Sequence, residues 1–187
     1  MKTLQEIENN VMQMIRLVEA DKQSEIRLNA NGGNTILLVC PPKQEKDFIE
    51  TLQKMLNNNN FKIIDLNALL IEYIDKNRKI LEEKFDLLQS SLHQIFKMPE
   101  GEDDDDDFYS YVLNSIKISF DEKKIPVLVR TGALYGTGIE NIHLMENDLV
   151  MNSKIPIIIL YPAEEIGEKL LFLNSRPSSK YRCMIIK

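Results

Sequence analysis

The chain has no tryptophan, two cysteines and two histidines in 187 residues. Cys40 and Cys183 stand far apart, each inside an apolar run. That spacing excludes a disulfide framework and offers no four-ligand zinc set, so both are expected as buried free thiols in a reducing compartment. Basic residues are in deficit, 23 Lys and Arg against 29 Asp and Glu, for a net charge of −6. A protein that grips nucleic acid unaided needs a basic surface to displace phosphate counterions, so direct nucleic-acid binding by this chain alone is not expected. No apolar run approaches the roughly 20 residues of a membrane span. The polar, amphipathic opening does not read as a signal peptide. The expectation is a cytoplasmic protein without a membrane association.

What is present suits one α/β domain covering 1–187. Hydrophobic residues make up 43% of the chain, enough for a real core at this length. The stretch Ile125 to Glu140 organises the rest: an unbroken apolar strand, Ile125 to Val129, opens into a loop holding Gly132, Gly136 and Gly138. In α/β proteins ligands sit at the carboxyl ends of such strands. Leu4 to Val18 has helical apolar spacing, and residues 1–34 read as an N-terminal helix and lead-in. Thr35 to Cys40 is a strand apolar on both faces, stopped by Pro41 and Pro42, with a helix following to about Leu56. Phe61 to Asp65 completes a βαβ unit. Leu66 to Phe96 is helical, with the charged run Asp75 to Lys79 as a place where it could divide. Residues 98–107 form an acidic loop, whose spacing lacks the glycine and distal glutamate of a calcium loop. A helix from Phe108 to Glu122, the Ile125 strand, helical residues Ile139 to Met151, a strand Ile155 to Tyr161 ended by Pro162, a short Leu170 to Leu173 element and a last strand Tyr181 to Ile186 complete the chain. The expected fold is three-layer α/β with a mainly parallel sheet of about five strands, like a P-loop ATPase domain without its Walker motifs.

Chemistry is sparse. A phosphate-binding loop after the first strand needs Gly-x-x-x-x-Gly-Lys-Ser/Thr, whose amides wrap phosphate. This chain has Cys40-Pro41-Pro42-Lys43-Gln44-Glu45-Lys46 there, with no glycine and two prolines that remove amide donors. The Ile125 strand closes in Arg130-Thr131-Gly132 rather than in a Mg²⁺-binding carboxylate. A Cys40 nucleophile would need His93 or His143 beside it. Glu164 and Glu165 read as solvated loop residues. The candidate crevice is therefore Cys40, Pro41, Pro42, Lys43, Thr131, Gly132, Gly136 and Gly138, with Thr131 best placed to face it. No catalytic set, metal set or cofactor is expected.

Several of these stretches, in this order, resemble the BrxB family of bacterial BREX (bacteriophage exclusion) systems. They are Val39-Cys40-Pro41-Pro42, Phe61 to Leu66, Val127 to Gly132, Ile155 to Pro162 and the tail Ser179 to Ile186. The resemblance covers roughly residues 35 to 187. The acidic Asp103–Asp107 loop, the triple-glycine loop and Ala163-Glu164-Glu165 depart from it. It implies a non-enzymatic cytoplasmic component of an anti-phage system, acting as an adaptor for a PglZ-type phosphatase-like partner. The alternative reading of the residues is a nucleotide- or nucleic-acid-binding protein with a non-standard site at the carboxyl ends of the central strands.

Overall fold

A computed structural model describes residues 1–19, 23–56, 59–89, 91–97, 107–167, 169–177 and 182–187. Its helices are α1 (Leu4–Glu19), α2 (Gln23–Asn29), α3 (Glu45–Met55), α4 (Leu66–Leu87), α5 (Phe108–Asp121), α6 (Asn141–Met145) and α7 (Asp148–Met151). Its strands are β1 (Thr35–Cys40), β2 (Phe61–Asp65), β3 (Ile125–Val129), β4 (Ile157–Ile166), β5 (Lys169–Phe172), β6 (Arg176–Pro177) and β7 (Met184–Ile186).

Five strands form a parallel sheet in the order β2-β3-β4-β1-β7. Its apolar strands are covered on both faces, as parallel sheets require. Alternate residues divide the core in two. Leu37, Val39, Leu128, Ile157, Ile159 and Tyr161 face the layer of α4 to α7. Ile36, Leu38, Cys40, Val127, Val129, Ile158 and Leu160 face α1 and α3. The expected three-layer α/β architecture is the one observed.

Two capping aspartates fix where helices begin. The Asp65 carboxylate accepts from the amides of Asn67 and Ala68 and starts α4 at the end of β2. Asp107 accepts from the Ser110 amide and starts α5. The rest of the expected acidic loop, residues 98–106, lies outside the described residues.

Three expectations need correction. The charged run Asp75 to Lys79 does not divide α4, which is continuous to Leu87. Its side chains point outward, and Glu72 and Lys76 pair across one turn at 2.6 Å. Pro162 does not end its strand. It stands opposite Cys40, the last residue of β1, so no continuing parallel ladder calls for the N–H it lacks. Beyond it, β4 runs on to Ile166 and turns into an antiparallel hairpin with β5. Helix α2 falls in the lead-in, where one buried apolar residue, Ile26, gives too weak a period to be read.

The last strand is short and ends the sheet path, paired to β1 through Ile36, Leu37 and Leu38. Just before it, the Arg182 backbone lies against Gly33, where a β-carbon would stand 1.8 Å from the Arg182 carbonyl oxygen. Asn34 ties the other side of that corner. Its amide nitrogen reaches the carbonyls of Val150, Ser153 and Ile155, all within 3.0 Å, and holds the approach to β4 against the start of β1.

Helix α4 is 22 residues long, about 33 Å at 1.5 Å per residue. A row along it at seven-residue spacing runs Leu66, Tyr73, Ile80, Leu87. The first two are 0% and 3% exposed, the last two 54% and 83%. The helix face that packs into the core at its start thus continues, still apolar, into solvent.

Candidate functional site

The sheet's carboxyl ends hold two separate places. The first lies beyond β1. Cys40 is fully buried, and its thiol is pushed well above the usual range, first by burial and next by the neighbouring Glu45, with Lys2 opposing. That keeps the sulfur protonated, the reverse of what a nucleophile needs. Pro41 and Pro42 are half-buried and Lys43 is exposed. Gln44 is buried and holds the Lys2 backbone through two hydrogen bonds, accepting from the Lys2 N–H at 2.7 Å and donating to its carbonyl at 2.9 Å. Lys2, just before α1, is thereby held against the loop after β1.

Glu45, the first residue of α3, occupies the place where a phosphate-binding loop would present amides. Burial raises its carboxyl above the usual range, opposed by the Arg130 charge and by a hydrogen bond from the Arg130 backbone. Its Oε1 is buried without a partner among the described residues. Arg130 itself adopts a left-handed conformation (φ 58°) and donates from Nε to Asp65 at 2.9 Å. A carboxylate sits here, and the nearest guanidinium is already paired. The electrostatics oppose a phosphate on both counts.

Thr131 was expected to face the crevice. It is instead fully buried, with its hydroxyl donating to the Leu160 carbonyl at 3.3 Å. Gly132 lies beneath the Leu173 methyls, with ordinary van der Waals room for a β-carbon. Neither opens onto the loop after β1.

The second place is a cavity of about 440 Å³ between the glycine loop, the start of α6 and the β5–β6 hairpin. Gly136 and Gly138 line it, together with His93, Tyr135, Asn141 and Arg176. Gly138 is required. Its φ is +78°, and a β-carbon there would come within 3.0 Å of His93 Cβ. Tyr135 is 56% exposed and carries the Arg176 guanidinium 4.9 Å from its ring centroid. Arg176 also stands 3.8 Å from Glu140. Asn141 is 4% exposed, and its Oδ1 has no hydrogen-bond partner among the described residues. The floor is Tyr161 stacked on Phe172, with centroids 4.9 Å apart.

The eight candidate residues thus divide. Gly136 and Gly138 border the cavity, Pro41, Pro42 and Lys43 lie in the loop after β1, and Cys40, Thr131 and Gly132 are packing residues. His93 belongs to the cavity. The Nδ1 of His143 accepts from the Glu140 N–H at 3.0 Å and caps α6. Glu165 pairs with Lys187 at 2.7 Å. Among the described residues no group of three or more His, Cys, Asp or Glu is arranged to hold a metal ion. No described helix is long and apolar enough to cross a membrane.

Asn141, Glu140 and Arg176 were not identified from the sequence. Glu140 closes the stretch Ile125 to Glu140 without being singled out there, and Asn141 follows in residues that read only as helical. Arg176 is delivered by a hairpin whose existence depends on β4 running through Pro162. Tyr135 was within the glycine loop, but nothing local marks it as a platform.

No protein-family model, curated protein or solved structure matches this chain.

Proposed function

We propose that this protein is a non-enzymatic component of a BREX-type anti-phage defence system, an adaptor that holds a PglZ-type partner through the distal half of α4. The family part of this reading rests on the resemblance to BrxB. The observation that carries the contact part is the Leu66, Tyr73, Ile80, Leu87 row, which passes from full burial to 54% and 83% exposure. Phe85 and Ile71, 52% and 54% exposed, add apolar surface on another side of the helix. An amphipathic helix with its apolar face uncovered is a standard element for docking into a partner's groove. The chemistry of the loop after β1 supports the non-enzymatic side: prolines remove amides, Glu45 brings negative charge, and Cys40 is held as a thiol.

The test is a pair of substitutions at exposed positions, Ile80→Ser with Leu87→Ser, in cells carrying the complete defence system. The reading expects loss of phage protection with unchanged thermal stability and cellular level of the variant. Full protection by the double variant would refute α4 as the contact.

A further inference from the structure

We propose that the tip of the β5–β6 hairpin is a gate over the cavity beside the glycine loop, latched shut by the Arg176 side chain. Two walls of that cavity come from different elements. Tyr135, Gly136, Gly138 and Glu140 belong to the glycine loop and the start of α6, whereas Arg176 and Pro177 form β6. Arg176 joins the two walls. Its guanidinium lies 4.9 Å from the Tyr135 ring centroid and 3.8 Å from the Glu140 carboxylate. Exposure places this contact at the mouth. Tyr135 is 56% exposed, and the Arg176 and Glu140 side chains are 57% and 54% exposed. The floor residues Tyr161 and Phe172 are 0% and 9% exposed.

The hairpin is built to bend just behind the latch. Its base is fixed in three ways. Phe172 stacks on Tyr161, the Leu173 N–H donates to the Pro162 carbonyl at 2.8 Å, and the Leu173 methyls lie over Gly132. Leu173 and Asn174 then take left-handed φ values of 50° and 56° and turn the chain back. Past the turn, β6 pairs with β5 alone among the described residues, and both of its residues are exposed. Exposed ion pairs and exposed cation–π contacts are each weak. Opening of the tip is therefore a local fluctuation that leaves the sheet intact. A molecule entering the cavity does so when Arg176 leaves Tyr135 and Glu140. The gate is independent of the α4 surface and of the adaptor reading.

The test places a thiol inside the cavity with Ile139→Cys, a wall position only 3% exposed, in the full chain. Its labelling by iodoacetamide, a neutral reagent, is followed by peptide mass spectrometry with and without Arg176→Gln. The buried Cys40 and Cys183 are the internal reference. Labelling at position 139 is expected to become about ten-fold faster with Arg176→Gln. Labelling of Cys40 and Cys183 and hydrogen exchange at Ile158 to Leu160 are expected to stay unchanged. Added salt is expected to speed labelling about two-fold while Arg176 is present and to have no effect once it is replaced. If Ile139→Cys does not fold, Leu134→Cys on the same wall, also 3% exposed, gives the same readout. A labelling rate indifferent to Arg176→Gln overturns the gate. So does a gain shared equally by Cys40, Cys183 and the β4 amides, which would mean general loosening.

Discussion

Gly33→Ala is the most revealing single change in the fold. The added β-carbon would stand 1.8 Å from the Arg182 carbonyl oxygen and 2.7 Å from its carbon. Both atoms are backbone, so no side-chain rotation relieves the clash. One segment must move by roughly 1 Å or more to restore an ordinary contact. If the turn absorbs the movement, the cost is that of overpacking, about 1 to 3 kcal/mol. The segment more able to yield is the one leading into β7, whose three residues pair with β1 alone. Its undocking would expose Ile186, now 1% accessible, at about 1.5 to 3 kcal/mol for the side chain. The expected loss is therefore about 3 kcal/mol, read by urea unfolding. A lower m-value would accompany it if β7 leaves, because the native state would already expose that surface. Hydrogen exchange distinguishes the two routes: fast exchange at Met184 to Ile186 with protection kept in β1 and β4 means undocking. A change under about 0.5 kcal/mol with β7 still protected would refute the close packing of Gly33 on Arg182.

Three further outcomes follow from individual contacts. Asn34→Ala removes the amide that joins three carbonyls before β4; about 2 kcal/mol should be lost in chemical denaturation, and an unchanged midpoint would contradict the clamp. Glu45→Gln should stabilise the protein near neutral pH and leave it unchanged in acid. The folded-state carboxyl is raised by burial, so its penalty is absent below the unfolded-state pKa and appears as pH rises through the folded-state value; melting temperatures across pH check this, and a variant less stable at pH 7 would contradict it. Asp65→Ala removes both the α4 cap and the ion pair to Arg130, for about 1 to 2 kcal/mol; retention of full stability would show that neither contributes.

The sheet was legible because its strands are apolar on both faces and end in strong signals. Thr35 to Cys40, Phe61 to Asp65 and Ile125 to Val129 have the same bounds in sequence and structure: the first lies between Asn34 and Pro41, the second between Asn60 and the Asp65 cap, and the third ends where Arg130 turns left-handed. Strand β4 was less legible because Pro162 is a local stop signal, and only its place opposite the end of β1 makes it harmless. The site was half legible. Glycines advertise a loop, and two of the three border the cavity, but Arg176 comes from a distant hairpin, and Asn141, just past Gly138, carries no local mark. Thr131 shows the opposite failure: at a strand end it reads as ligand-facing, yet a backbone carbonyl from β4 claims its hydroxyl. The exposed end of α4 was invisible in the sequence because Leu66, Tyr73, Ile80 and Leu87 form one uniform heptad row. Only the structure shows that Ile80 and Leu87 emerge into solvent while Ile74 and Leu81 stay packed against the core.

The most direct test of the adaptor account is tagged recovery of the protein from its own host, with mass spectrometry of what accompanies it, for the wild type and for the Ile80→Ser, Leu87→Ser double variant. The account predicts that a PglZ-type protein accompanies the wild type in stoichiometric amount and is missing from the variant. Recovery of the wild type alone, or of the same partner at the same stoichiometry with both proteins, would contradict it.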